Sequence, residues 1–145
     1  GERFPFVDAN CQPFYVGDIW NGKLYPALME GVGFAERLAF DRMIKIGCPV
    51  GNVIYTTGGA CRSELWLRIR ASILNRQLKV PAVVDAAMGS ALLAASSEMG
   101  ALESAAANMI RYVKTVDPDP ALVLPYSDIY GQFLDDVRKN YNLEV

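Results

Sequence analysis

The sequence predicts an α/β fold of layered helices and a thin sheet, on three observations. Two β-branched or apolar runs of strand length, Val53–Thr57 and Leu78–Val84, lie between segments with helical periodicity. The helical segments carry start and stop signals at fixed places. Hydrophobic residues make up 52% of 145 residues and charged residues 21%, an ordinary composition for a globular domain with its own core.

The elements follow in order. Residues 1–22 are rich in Gly, Pro, Asn and aromatics, and read as loop with a short strand around Phe14-Tyr15-Val16. From Leu24 to Ile46 the pattern is helical. Leu28, Val32, Ala35, Ala39 and Met43 are spaced by three or four and draw one face for the core. Gly47 and Pro49 end that helix. After the first strand, Ser63 is placed as an N-cap with Glu64 in the first turn, and Leu65, Ile69 and Ile73 mark the second helix. Asn75 suits the left-handed residue that closes it. The second strand, Leu78–Val84, leads to Asp85 as the cap of a third helix, Ala86–Met99, closed by Gly100. A fourth helix spans Leu102 to about Ile110, and Val113–Val116 reads as a short strand. "DPDP", Asp117–Pro120, reads as a turn. Tyr126–Tyr141 is a closing amphipathic helix with Ile129, Phe133, Leu134 and Val137 inward.

Two or three strands are few for a stable sheet. The chain also opens on "GERFPF" without a methionine, so it is expected to be a partial domain of a longer protein. A sheet short of strands leaves an edge and apolar surface, for which a homodimer is the expected cover.

Charge and cysteine content exclude several functions. The 14 basic and 16 acidic residues give a net charge of −2, which offers no electrostatic basis for binding nucleic acid or an anionic membrane. No apolar run is long enough to span a bilayer, and no secretory leader pattern opens the sequence. Cys11, Cys48 and Cys61 stand far apart and there is no histidine, which excludes a zinc site and a histidine-based triad; three reduced thiols in a cytoplasmic protein are expected.

"GVGFAE", Gly31–Glu36, has two glycines of a dinucleotide fingerprint. It lacks the third and lies inside a helix, so its glycines are read as helix-packing residues. No phosphate-loop motif occurs. Gly58-Gly59 is more informative, because it stands where a strand hands over to a helix. Glycine allows positive φ and lets another group approach bare backbone. A helix N-terminus beyond a strand end favours an anionic ligand. A nucleotide cradle and a plain tight turn both fit this spacing. Arg62, Arg68, Arg70 and Arg76 are read mostly as solvated helix positions. Trp66 is read as a core anchor. The aspartates include no evident catalytic pair.

"TTGGACRSELWLRIRASILNRQLKVPAVVDAAMGSALLAA", Thr56–Ala95, resembles the second signature region of the FGGY carbohydrate kinases. Gly58, Gly59, Ser63, Trp66, Ala71, Pro81, Gly89 and Ala91 match in register. "GERFPFVDAN", "LMEGVGFAER", "DPDP" and "YSDIY" are similar to further family segments, nearest the xylulokinase-like branch. Ala60 stands at the third glycine of the family pattern, Arg68 at its Gln, Ser72 at its Asp and Asn75 at its following Gly.

The resemblance implies the C-terminal portion of the second domain of an actin-like (ribonuclease H-like) ATPase fold. It implies transfer of the γ-phosphoryl of ATP to a hydroxyl of a sugar or polyol, of the pentulose type, with Mg²⁺. The catalytic base, magnesium ligands and phosphate loop are expected upstream of Gly1. Gly58, Gly59, Ala60 and Ser63 are the expected nucleotide-binding residues, forming the adenine-side wall. A non-catalytic binding module that kept the fold is the alternative, and upstream sequence would separate the two.

Overall fold

The computed structural model describes residues 7–17 and 22–141. The matched "GERFPF" segment lies outside the described residues. The elements run α1 (Leu24–Lys45), β1 (Val53–Tyr55), a 3-10 turn (Gly59–Arg62), α2 (Glu64–Leu74), β2 (Gln77–Pro81), α3 (Ala86–Met99), α4 (Leu102–Met109), β3 (Tyr112–Val116) and α5 (Pro120–Tyr141). The sheet has the order β1-β2-β3, with β1 and β2 parallel and β3 antiparallel to β2. This small mixed sheet under helices bears out the α/β reading. No strand forms at Phe14–Val16.

Helix α2 is the middle layer. Toward the sheet, its Leu67, Ala71 and Leu74 join Leu78 and Val80 of β2 and the buried Cys61. On the other side Ile69 and Ile73 meet Met29, Phe34 and Leu38 of α1 and Tyr126 and Tyr130 of α5, with Trp66 packed half-buried against that cluster. A helix flanked on both sides is apolar nearly all round. Leu67, Ile73 and Leu78 are fully buried, each contributing about 1.5–3 kcal/mol.

The apolar stripe expected to face the core on α1 does not do so. Leu28, Val32 and Met43 are 46%, 60% and 42% exposed, while Met29, Gly33, Phe34 and Leu38 are buried. Both stripes satisfy helical spacing. The second packs because Phe34 brings an aromatic face and Gly33 permits close approach: a Cβ on Gly33 would stand 2.7 Å from Cδ1 of Ile73. Gly33 is thus a packing glycine, as the failed dinucleotide pattern suggests.

Two other boundaries and one cap differ from expectation. Strand β2 stops at Pro81, and the carbonyl of Arg111 accepts from Ala82 N beyond it. Asp85 makes no side-chain cap to α3; only its carbonyl accepts, from Met88 N. Helix α5 begins at Pro120 rather than Tyr126 and carries Pro125 inside. Its start is built from "DPDP": the Asp119 carboxylate accepts from Ala121 N and its carbonyl from Leu122 and Val123, with Pro120 at the first helical position. Along α5, Val137 is buried and Phe133 and Leu134 half-buried, but Ile129 faces solvent; Tyr126 and Tyr130 take its place in the core.

The Tyr126 hydroxyl donates to Glu30 at 2.9 Å and the Tyr130 hydroxyl to Asp41 at 2.7 Å. Burial, then donation to a carboxylate, pushes the Tyr126 phenol up to about 12 from 10.0, and Tyr130 is raised for the same reasons. A group with a raised folded pKa stabilises fully below its unfolded pKa and loses that contribution as pH rises through the folded value. The α1–α5 contact is therefore expected to weaken from pH 10 toward 12. Urea midpoints at about pH 9 and about pH 11.5 check this; equal midpoints would contradict it.

Candidate nucleotide site at the strand ends

The parallel pair β1 and β2 brings two loops to one edge of the sheet. Thr56, Thr57 and Gly58 follow β1, and Ala82 to Asp85 follow β2. The loops are joined directly: Gly58 N donates to the Val84 carbonyl at 3.0 Å. A cleft of about 400 Å³ opens beyond the strand ends, lined by Thr57, Ala82, Asp85, Met88 and Gly89 among others, but by none of Gly58, Gly59, Ala60 and Ser63. Ligands of open α/β sheets bind at this edge.

The two glycines differ in what they require. Gly58 has φ 88° and ψ 177°, a backbone conformation that side chains strain. Gly59 has no such constraint, is exposed, and has nothing within 4 Å of a Cβ built on it. The fold does not explain a glycine there. Gly59 and Ala60 open the 3-10 turn, in which Cys61 N donates to the Gly58 carbonyl and Ser63 N to that of Ala60.

Ser63 ends this turn in extended conformation, and its Oγ accepts from Trp66 N at 3.2 Å. It is the N-cap the sequence predicts, and as an acceptor it keeps its own proton for another partner. Asn75, with φ 48° and ψ 47°, closes α2 as expected. All four expected site residues, Gly58, Gly59, Ala60 and Ser63, therefore lie on one short turn between β1 and α2.

Beneath the turn lies a buried polar cluster that sequence reasoning misses. Arg70 is only 8% exposed, against the expectation of a solvated position. Its Nε and Nη2 donate to the two carboxylate oxygens of Glu36 at 2.8 and 2.6 Å, and its Nη1 to Thr56 Oγ1 at 2.7 Å. The Cys61 thiol approaches the same oxygen at 3.7 Å. One signal was available. With Leu67, Ile69, Ala71, Ile73 and Leu74 all apolar, α2 has little polar face left for position 70. Arg68 is exposed near Asp119 at 3.8 Å, and Arg76 donates to the Gly51 carbonyl. Among the described residues, no group of three His, Cys, Asp or Glu could hold a metal ion.

Comparison with known proteins fixes the family. A profile described as "FGGY family of carbohydrate kinases, C-terminal domain" matches residues 1–98. The chain belongs to this family. It is 30% identical to the xylulose kinase of Bacillus subtilis over 139 residues, covering 92% of this chain and 28% of that protein. It is likewise 30% identical to the ribulokinase of Anoxybacillus flavithermus, over 92% of this chain and 26% of that one. The ligand-bound xylulose kinase of Lactobacillus acidophilus superposes with a TM-score of 0.83 over 96% of this chain and 29% of its own, at 22% identity, a likeness of fold. This FGGY domain thus has the fold of the C-terminal part of the sugar kinases, and it spans just over a quarter of the length of these relatives.

Proposed function

We propose that this FGGY domain is the nucleotide-binding C-terminal part of an ATP-dependent carbohydrate kinase acting on a pentulose in the cytoplasm. The observation that carries the reading is Gly59. It is a glycine that its own fold does not require, exposed at the carboxyl edge of a parallel strand pair, with open space over its Cα. Bare backbone at Gly59 and the small Ala60 would form the floor for the base and ribose. Ser63 would offer its hydroxyl as the polar contact at the rim. Gly58 shapes the turn through its positive φ.

ATP, when bound, supplies the phosphoryl group transferred to the sugar hydroxyl, and positioning and charge stabilisation dominate such a reaction. This chain's share is to bind and orient the nucleotide. The xylulose kinase and ribulokinase relatives support a pentulose as the acceptor. Magnesium and the carboxylate base belong to the same reading as parts contributed outside these residues. A second copy covering the open sheet edge belongs to it too.

The intact protein tests the reading directly. ADP is expected to bind in a calorimetric titration, and a coupled ADP-release assay is expected to show turnover with xylulose or ribulose. Binding without turnover on any pentulose, hexulose or polyol would favour the non-catalytic module. Absence of both would remove the nucleotide reading.

A further inference from the structure

The Glu36–Arg70–Thr56 cluster is a largely buried polar group adjoining the turn proposed to contact the nucleotide. Thr56 stands two residues before Gly58, and Cys61 two residues after Gly59. Both side chains are buried and both meet at Thr56 Oγ1. The Arg70 guanidinium reaches that same oxygen at 2.7 Å while Glu36 on α1 holds its other two donors. Trp66 flanks it, with its ring 5.7 Å from the guanidinium carbon. The Thr56 hydroxyl is thus reached from α2 by Arg70 and from the 3-10 turn by Cys61, while α1 acts on it only through Glu36's hold on Arg70.

Stability alone does not account for this arrangement. A buried ion pair is commonly no more stable than apolar side chains of similar volume. Apolar residues could complete the core between α1 and α2, but they could not bind Thr56. The third guanidinium donor is what the charged pair adds. Glycine backbone has the widest conformational freedom of any residue, and a turn that must be ordered on binding weakens the ligand by the entropy lost. A turn already held at both ends avoids that loss.

We propose that Arg70, braced by Glu36, is a positioning residue that holds Thr56, and through the Thr56 hydroxyl Cys61, so that the Gly58-Gly59 turn meets its nucleotide preformed. The inference rests on the nucleotide reading of that turn. It extends the site to a residue of α1, 22 positions before Gly58 in the chain.

Three variants test it in the intact protein. Thr56→Val keeps the shape and removes only the hydroxyl; Thr56→Ser restores the hydroxyl. Glu36→Leu with Arg70→Leu replaces the pair by apolar volume and is expected to leave the melting temperature near wild type. Thr56→Val and the double variant are each expected to raise the ADP dissociation constant about tenfold, with the KM for sugar unchanged. Thr56→Ser is expected to stay within about twofold of wild type. A folded Thr56→Val that binds ADP as tightly as wild type overturns the proposal; should that variant not fold, the same two results are read from the double variant. Gly59→Val, measured beside them, separates the two levels. If it loses ADP while the Thr56 and Arg70 variants keep it, only the positioning role falls. If all of them keep it, the nucleotide reading falls as well.

Discussion

Glu36→Ala is expected to lower the unfolding free energy by about 3 kcal/mol, the lower end of what an unpaired buried charge costs. Removing Glu36 leaves a guanidinium that is 8% exposed with two of its nitrogens unmatched. The lower end applies because the Glu36 side chain is 22% exposed, which gives water a route to the orphaned guanidinium. What is lost is compensation for a desolvated charge, rather than the gross attraction of the pair. For this reason Glu36→Leu with Arg70→Leu is expected to recover most of the loss. At the size of this chain, about 3 kcal/mol corresponds to roughly 6–12 °C in melting temperature. Urea unfolding at neutral pH measures it. A Glu36→Ala loss below about 0.5 kcal/mol, the range of ordinary surface substitutions, would show that the pair is solvated in solution.

Local signals placed several helix ends correctly. Ser63, Asn75 and Gly100 each stand at the helix end assigned to them, because a side-chain cap or a left-handed residue acts within a few positions of sequence. Which face of a helix packs is a different kind of fact. On α1 two stripes fit the same period, and the choice between them depends on Ile73, 40 residues beyond Gly33. The start of α5 was hidden for a related reason. Pro125 signals a helix boundary locally, yet Asp119 caps the chain six residues earlier and the helix runs through the proline.

The candidate site divides along the same line. Gly58, Gly59, Ala60 and Ser63 are contiguous, so their turn was legible from the handover of strand to helix. Glu36 and Arg70 lie 34 residues apart and meet only through the packing of α1 on α2. No local pattern reports that meeting. The sequence shows only that Arg70 lacks a polar face to occupy. The structure also separates what the glycine pair had left joined, since Gly58 answers to a positive φ and Gly59 does not.

That separation makes Gly59→Val the sharper probe of function. The substitution meets no atom of the chain within 4 Å of its Cβ and needs no strained φ, so folding is expected to be nearly unchanged. Gly58→Val would confound the measurement, because φ 88° penalises any side chain in the free protein. In the intact protein a valine at position 59 would occupy the space proposed for the base or ribose. The expected result is a loss of a few kcal/mol in ATP or ADP binding, the scale of overpacking a close contact. The KM for sugar should stay near wild type, because the sugar contacts are expected elsewhere in the cleft. Ser63→Ala should be milder, about 1 kcal/mol, divided between a lost helix cap and a lost polar contact. Thermal melts taken beside the titrations apportion the two: a cap lowers the melting temperature, and a ligand contact lowers affinity alone. Suppose Gly59→Val melts like wild type and binds ADP as tightly. Then the open space over Gly59 is only solvent, the glycine pair is a turn, and the nucleotide must be held by another part of the protein.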